Sequence, residues 1–257
     1  MPIKLPTRGN AKLEQMLARI NADEEIHQLW RCVNVNAIDR AGINDHGEVH
    51  IRIVANAALR LLRLLLEGGV EASVVLNYGL TREDAEVIVL LATSLHDLGM
   101  AISRDEHESL SPILALPILK RLLVDIYDLR EATIITSEVL HAIVAHHWNA
   151  QCLTIEAGVV KVADALDMAK GRSRIPFQAG RISIHAVSAA AIESVTIGKG
   201  ERKPIRISVE MTNSAGIYQI DELLRKKLQN SSIADYVEVV AQVSGESEER
   251  LIGPVSF

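Results

Sequence analysis

The heptapeptide SLHDLGM, residues 94–100, sets His96 and Asp97 side by side at the end of a run of apolar residues. Imidazole nitrogen and carboxylate oxygen are both ligands for divalent cations. Three other stretches offer the same chemistry: His46 and His50 in NDHGEVH, His146 and His147 in AIVAHHW, and Asp164 in VVKVADALDMAK. A His-Asp dipeptide alone is as often incidental as functional. Asp164 carries more weight, because a carboxylate amid apolar helix residues is costly unless it is paired or metal-bound. Taken in chain order, His50, His96, Asp97 and Asp164 make a candidate metal site.

The elements that must position these residues are helices. Apolar positions recur at helical spacing from about Ala11 to Trp30. The next pattern starts at Asn44 or Asp45 as cap, carries His50 and stops at Gly68-Gly69. LTREDAEVIVLLATSLHDLG opens with Thr81 and Asp84 in a capping arrangement and closes at Gly99. A helix after Ser111-Pro112 bends near Pro117, and REATIITSEVLHAIVAHHW and TIEAGVVKVADALDMAK supply two more, the last capped by Thr154 and stopped by Gly171. Helices packed in a bundle can project such ligands to one point.

Beyond about residue 178 the pattern changes. RISI, ESVTIGK, PIRISVEM and YVEVVAQVS read as strands, and HAVSAAAI and IDELLRKKLQNSS as helices, with GKGERKP a hairpin turn. The order β-α-β-β-α-β predicts a ferredoxin-like unit. The expected fold class is therefore α+β: an all-helical domain over residues 1–178, then a small α/β domain over 179–257.

The ordered pattern H…HD…D, with HDLG, AIVAHH and VADALD…GR, resembles the HD superfamily of metal-dependent phosphohydrolases over roughly residues 40–175. Within it, AHH…VVKVADALDMAKGRSR is most similar to the catalytic domain of ribonuclease Y and related HDIG proteins. The resemblance implies metal ligation by His50, His96, Asp97 and Asp164. In members with two metals it adds His107, just before a helix, and His146, with Asp97 as the carboxylate bridging both ions and the catalytic residue. His147 points about 100° away round the same helix, so it joins only if the metals straddle that helix end. His46 shares a helix face with His50 and is either a further ligand, a substrate contact or a surface histidine. His141 suits packing or hydrogen bonding behind the ligands. The richness of the cluster favours two cations per chain. Histidine-dominated ligation selects Mn, Fe, Co, Ni or Zn over Mg.

Two cations about 3.5–4 Å apart share a carboxylate and a hydroxide, which attacks phosphorus in line. Candidate phosphate-binding cations are Lys161, one turn before Asp164, Arg172 and Arg174 beyond that helix, and Arg104 after the HD pair. Many relatives carry lysine directly after HDxG; Met100 stands there in this chain, and the GYP signature of cyclic dinucleotide phosphodiesterases is absent.

The whole chain narrows the function further. Its 257 residues suffice for a large core, and Cys32 and Cys152 form neither a disulfide framework nor a metal-ligand spacing. No transmembrane span and no signal peptide are expected, so the expected compartment is the cytoplasm. A formal net charge of −6 argues against a general electrostatic grip on nucleic acid. The leading expectation is a metal-dependent phosphohydrolase acting on a nucleotide or similar small phosphorylated molecule. A ribonuclease or other nucleic-acid phosphodiesterase is the alternative, and a non-catalytic nucleotide-sensing protein a third. A homo-oligomer is the expected assembly, on general frequency.

Overall fold

The structure, a computed structural model, describes residues 2–173, 184–244 and 255–256, with the side chains of Arg172, Ser173, His185, Val255 and Ser256 outside that description. Its first part is helical: α1 (Ala11–Ala22), α2 (Glu24–Asn34), α3 (Glu48–Glu67), α4 (Ser73–Tyr78), α5 (Arg82–Leu95), α6 (His107–Leu122), α7 (Leu129–Ala145) and α8 (Ile155–Ala165). α5 is the central rod. From Val87 to Leu95 every residue is buried, as an apolar helix surrounded by others must be. α1, α3, α7 and α8 pack round it, and α3 also lies against α8. Thr81 and Asp84 cap each other reciprocally at its start, as their spacing predicts.

Several helix ends differ from expectation. The Ala11–Trp30 pattern is two helices, because Asp23 turns the chain: its side chain accepts from Ile26 N while its own N–H closes α1 on Ile20 O. α3 begins after Gly47, although Asp45 Oδ1 still accepts the His50 N–H at 3.2 Å. α6 starts at His107 rather than after Ser111-Pro112, and holds both Pro112 and Pro117. α8 ends at Ala165, short of Gly171. Gly99 does not stop α5. It lies in a 3-10 turn, Leu98–Ala101, where a Cβ would stand 2.2 Å from His107 O and 2.7 Å from Ser111 N. The glycine is there to let two segments touch.

The C-terminal part holds α9 (Ile184–Ala190), β1 (Ile192–Lys199), β2 (Ile205–Met211), α10 (residues 217–229, π-helical through Ile220–Arg225 and α-helical again over Lys226–Gln229) and β3 (Val237–Val243), with a two-residue strand β4 (Val255–Ser256). β1 and β2 form the predicted antiparallel hairpin, with a register shift between Ile192 and Ser194. β2 and β3 are parallel, joined through α10, and β4 pairs antiparallel with β3, so the order is β1-β2-β3-β4. This corrects the ferredoxin-like expectation, in which the strands equivalent to β2 and β3 are not neighbours. Of the predicted first strand RISI, residues 181–183 lie outside the described residues and Ile184 opens a helix. A long helical crossover from β2 permits the parallel partner instead.

One buried apolar cluster runs through both parts, from Ile51, Leu61 and Leu91 to Ile207, Val209, Leu224 and Val239. The hairpin lies on α3, where the Cβ that Gly68 lacks would meet Pro204 Cβ at 2.7 Å. Among the described residues no helix is long and apolar enough to cross a membrane.

Candidate metal centre

Five elements deliver the ligands: the start of α3 (His50), the end of α5 (His96 and Asp97), the first residue of α6 (His107), the end of α7 (His146) and the last turn of α8 (Asp164). They converge in two groups that share Asp97. In the first, His50 Nε2 lies 3.3 Å from His96 Nε2, 3.4 Å from Asp97 Oδ2 and 3.3 Å from Asp164 Oδ1. His96 Nε2 is 3.3 Å from Asp97 Oδ2 and 3.8 Å from Asp164 Oδ1. In the second, Asp97 Oδ1 stands 3.4 Å from His107 Nε2 and 3.7 Å from His146 Nε2, with the two nitrogens 3.3 Å apart. The two oxygens of one carboxylate thus face two different sets of imidazoles.

The hydrogen bonds behind the rings fix which nitrogen is free. His96 Nδ1 faces Thr93 O at 2.9 Å, His107 Nδ1 faces Arg104 O at 2.6 Å and His146 Nδ1 faces Ile143 O at 2.5 Å. A carbonyl can only accept, so each Nδ1 carries a proton, and each ring in its neutral form offers an Nε2 lone pair inward. His50 does the same through Asp167, whose Oδ2 lies 2.6 Å from its Nδ1. Lone pairs facing at 3.3 Å beside two carboxylates repel one another unless a cation lies between them. For metal–ligand bonds of about 2.0–2.2 Å, ligand atoms of a tetrahedral site stand about 3.3–3.6 Å apart. The residues fit the group on both counts, chemistry and spacing.

The site is deep. His96 is fully buried and His50, His146 and Asp97 nearly so. Burial alone would raise both carboxyls, yet His96 and His46 hold Asp97 well below the usual range, and Lys227 with His50 and His96 does the same for Asp164. Burial also lowers His146 well below an ordinary histidine, helped by His96 and Lys227 and opposed by Asp97 and Asp164. The open side lies at His46 and His107, whose side chains keep 22% and 18% of their exposure. His46 belongs to the first group, its Nδ1 2.8 Å from Asp97 Oδ2.

Other sequence-predicted residues lie elsewhere. Lys161 is fully buried, and its ammonium donates to the main-chain carbonyls of Ala150 and Asn230. The helix face it shares with Asp164 is turned into protein there, so the ammonium needs carbonyl partners; this corrects the expectation that it reaches a phosphate. His147 accepts from Asn149 N at 3.3 Å and packs on Trp148, outside both ligand groups among the described residues. His141 Nε2 accepts from Leu153 N, in keeping with a packing role. Arg104 is exposed, and its demonstrated part is the carbonyl that orients His107. Arg172 lies in the 3-10 turn Lys170–Ser173 with its side chain outside the described residues, and Arg174 is outside them altogether.

Three residues were not anticipated. Asp167 follows Asp164 by three positions, a spacing visible in VADALD. Glu108 Oε2 approaches His107 Nδ1 at 3.2 Å and is adjacent to it in sequence. Lys227, whose ammonium pairs with Asp164 Oδ2, comes from α10 and had no sequence signal at all.

Residues 48–169 match the HD domain family, a span that holds His50, His96, Asp97, His107, His146 and Asp164. The chain is 45% identical over 224 residues to an uncharacterized protein of Methanocaldococcus jannaschii, a match covering 87% of this chain and 86% of that protein. No solved structure matches.

Proposed function

The chain belongs to the HD-domain superfamily of metal-dependent phosphohydrolases, and from that premise we propose that it hydrolyses a phosphate ester of a nucleotide or a comparable small molecule with two divalent transition cations per chain. The observation that carries this reading is Asp97, whose Oδ1 and Oδ2 are divided between two imidazole groups. When bound, the cations would supply Lewis acidity toward the phosphoryl oxygens and a water ionised near neutral pH. His50, His96, Asp97 and Asp164 would hold one, and Asp97, His107 and His146 the other. His46, at the open side, is placed to meet either an ion or the substrate.

The chain's own contribution is preorganisation. Four imidazoles are held by their Nδ1 protons, so none has to rotate when an ion or substrate arrives. Burial of His96, His50 and His146 excludes bulk water from the back of the site, which leaves approach through the side flanked by His46 and His107. An excess of acidic over basic residues, 33 against 27, disfavours the several phosphate contacts an extended nucleic acid would need. Metal analysis of the purified protein, combined with hydrolysis assays on nucleotides, cyclic nucleotides and short RNA, tests the proposal. Two transition ions per chain with turnover of a nucleotide support it. A protein that retains no metal, or whose Asp97→Ala variant keeps full turnover, refutes it.

A further inference from the structure

We propose that Lys227, supplied by α10, is the cation that receives the phosphoryl group at this centre. The inference rests on the phosphohydrolase reading and adds a residue that no part of the helical region contains. Lys227 is buried, with 8% of its surface exposed, and its ammonium donates to Asp164 Oδ2 while Asp164 Oδ1 faces His50 Nε2. The positive charge therefore sits directly on a carboxylate of the first ligand group. It also bears on His146, in the second group. An ammonium has three N–H donors, and Asp164 takes one. Among the described residues no second acceptor takes the other two, which leaves them to an anion bound over the ligand atoms, and a phosphoryl oxygen is the anion this chemistry brings.

The placement is built into the fold. Asn230, just after the helical stretch, accepts the Cys152 N–H at 3.3 Å and donates through Nδ2 to Trp148 O at 3.2 Å, gripping the loop that follows His146. Ser232 Oγ donates to Thr154 O at 2.6 Å, at the start of α8. Gly158 permits that approach, since a Cβ there would stand 2.2 Å from Ser232 Oγ. The segment carrying Lys227 is thus fastened to both elements that deliver His146 and Asp164. Of the other cations proposed from sequence whose side chains are described, Lys161 is bound to carbonyls and Arg104 is exposed, whereas Lys227 pairs with a carboxylate of the ligand set.

The test uses the full-length, metal-loaded protein with inorganic phosphate as probe. Lys227→Met should weaken phosphate binding about 10–100-fold in calorimetric titration, the loss of a charge-assisted hydrogen bond. Lys227→Arg should restore most of that affinity, and metal content should be unchanged in both. As a check independent of the variants' folding, protein labelled with 15N-lysine should show the Lys227 Nζ resonance moving when phosphate is added. Unchanged phosphate affinity in Lys227→Met, a stationary Nζ resonance, or a wild-type protein that binds no phosphate overturns the inference. If phosphate binds in a Lys227-dependent manner but no phosphate ester is cleaved, the inference stands and the hydrolase reading fails.

Discussion

Asp167 Oδ2 stands 2.6 Å from His50 Nδ1, three residues along the chain from Asp164, which faces the Nε2 of the same ring. One short segment therefore grips both nitrogens of one imidazole, the first as proton acceptor and the second as fellow ligand. A carboxylate behind a histidine fixes its tautomer and raises its basicity, and losing it costs about 10–100-fold in metal affinity. Asp167→Ala should show that loss by competitive chelator titration, whereas Asp167→Asn, which keeps an accepting oxygen, should lose less. Equal affinities in all three proteins would detach Asp167 from the centre.

Asp97→Ala removes a ligand from both groups at once. It should release both ions, read by elemental analysis, and abolish turnover while the helical circular dichroism persists. An Asp97→Ala protein that holds one ion per chain would show that the two groups do not share this carboxylate.

Gly99→Ala tests the contact between the turn after the HD pair and the start of α6. The added methyl would meet His107 O at 2.2 Å, and main chain cannot yield as a flexible side chain does. Overpacking of this kind costs about 1–3 kcal/mol, and relief by moving α6 displaces His107. The expected outcome is a lower urea midpoint together with bound metal falling toward one ion per chain. Full metal content at wild-type stability would contradict the assignment of His107 to the second group.

The pH dependence of the metal-free protein follows from His146, which burial, with His96 and Lys227 beside it, holds well below its ordinary value of 6.5. Below pH 6.5 the unfolded chain binds a proton at this position that the folded chain refuses, so stability falls as pH falls. The slope is at most about 1.4 kcal/mol per pH unit for one proton. Asp97 and Asp164, both depressed in the folded state, contribute stability that is present above the usual carboxylate range and lost only under more acidic conditions. Urea unfolding of the metal-free protein between pH 8 and pH 5 should show a midpoint that drops below 6.5, and His146→Gln should flatten that drop. A midpoint constant to pH 5 would refute the account.

The sequence showed much of this centre because local rules and ligand chemistry act on near neighbours. His96 and Asp97 are adjacent, Thr81 and Asp84 announce the start of the helix beneath them, and Asp164 stands out as a charge among apolar residues. Asp167 was legible too, one acid three places after another, but its role depends on a ring that arrives from residue 50. The strand order was not legible. Alternation marks β1, β2 and β3 as strands, yet nothing local distinguishes a parallel from an antiparallel neighbour across a crossover. Lys161 misled because helical spacing shows which residues share a face and not what covers that face. Lys227 was invisible for the same reason, since its partner lies 63 positions away and only the packed chain brings them together.

That separation has a consequence for biosynthesis. A ribosome delivers every histidine and aspartate of the two ligand groups well before it delivers α10. Until that helix docks, Asp164 lacks the ammonium that pairs with it, and on the proposal made above the centre would lack its grip on a phosphoryl group. On that proposal, competence for substrate would arrive only once α10 has docked against the helices that carry the ligands.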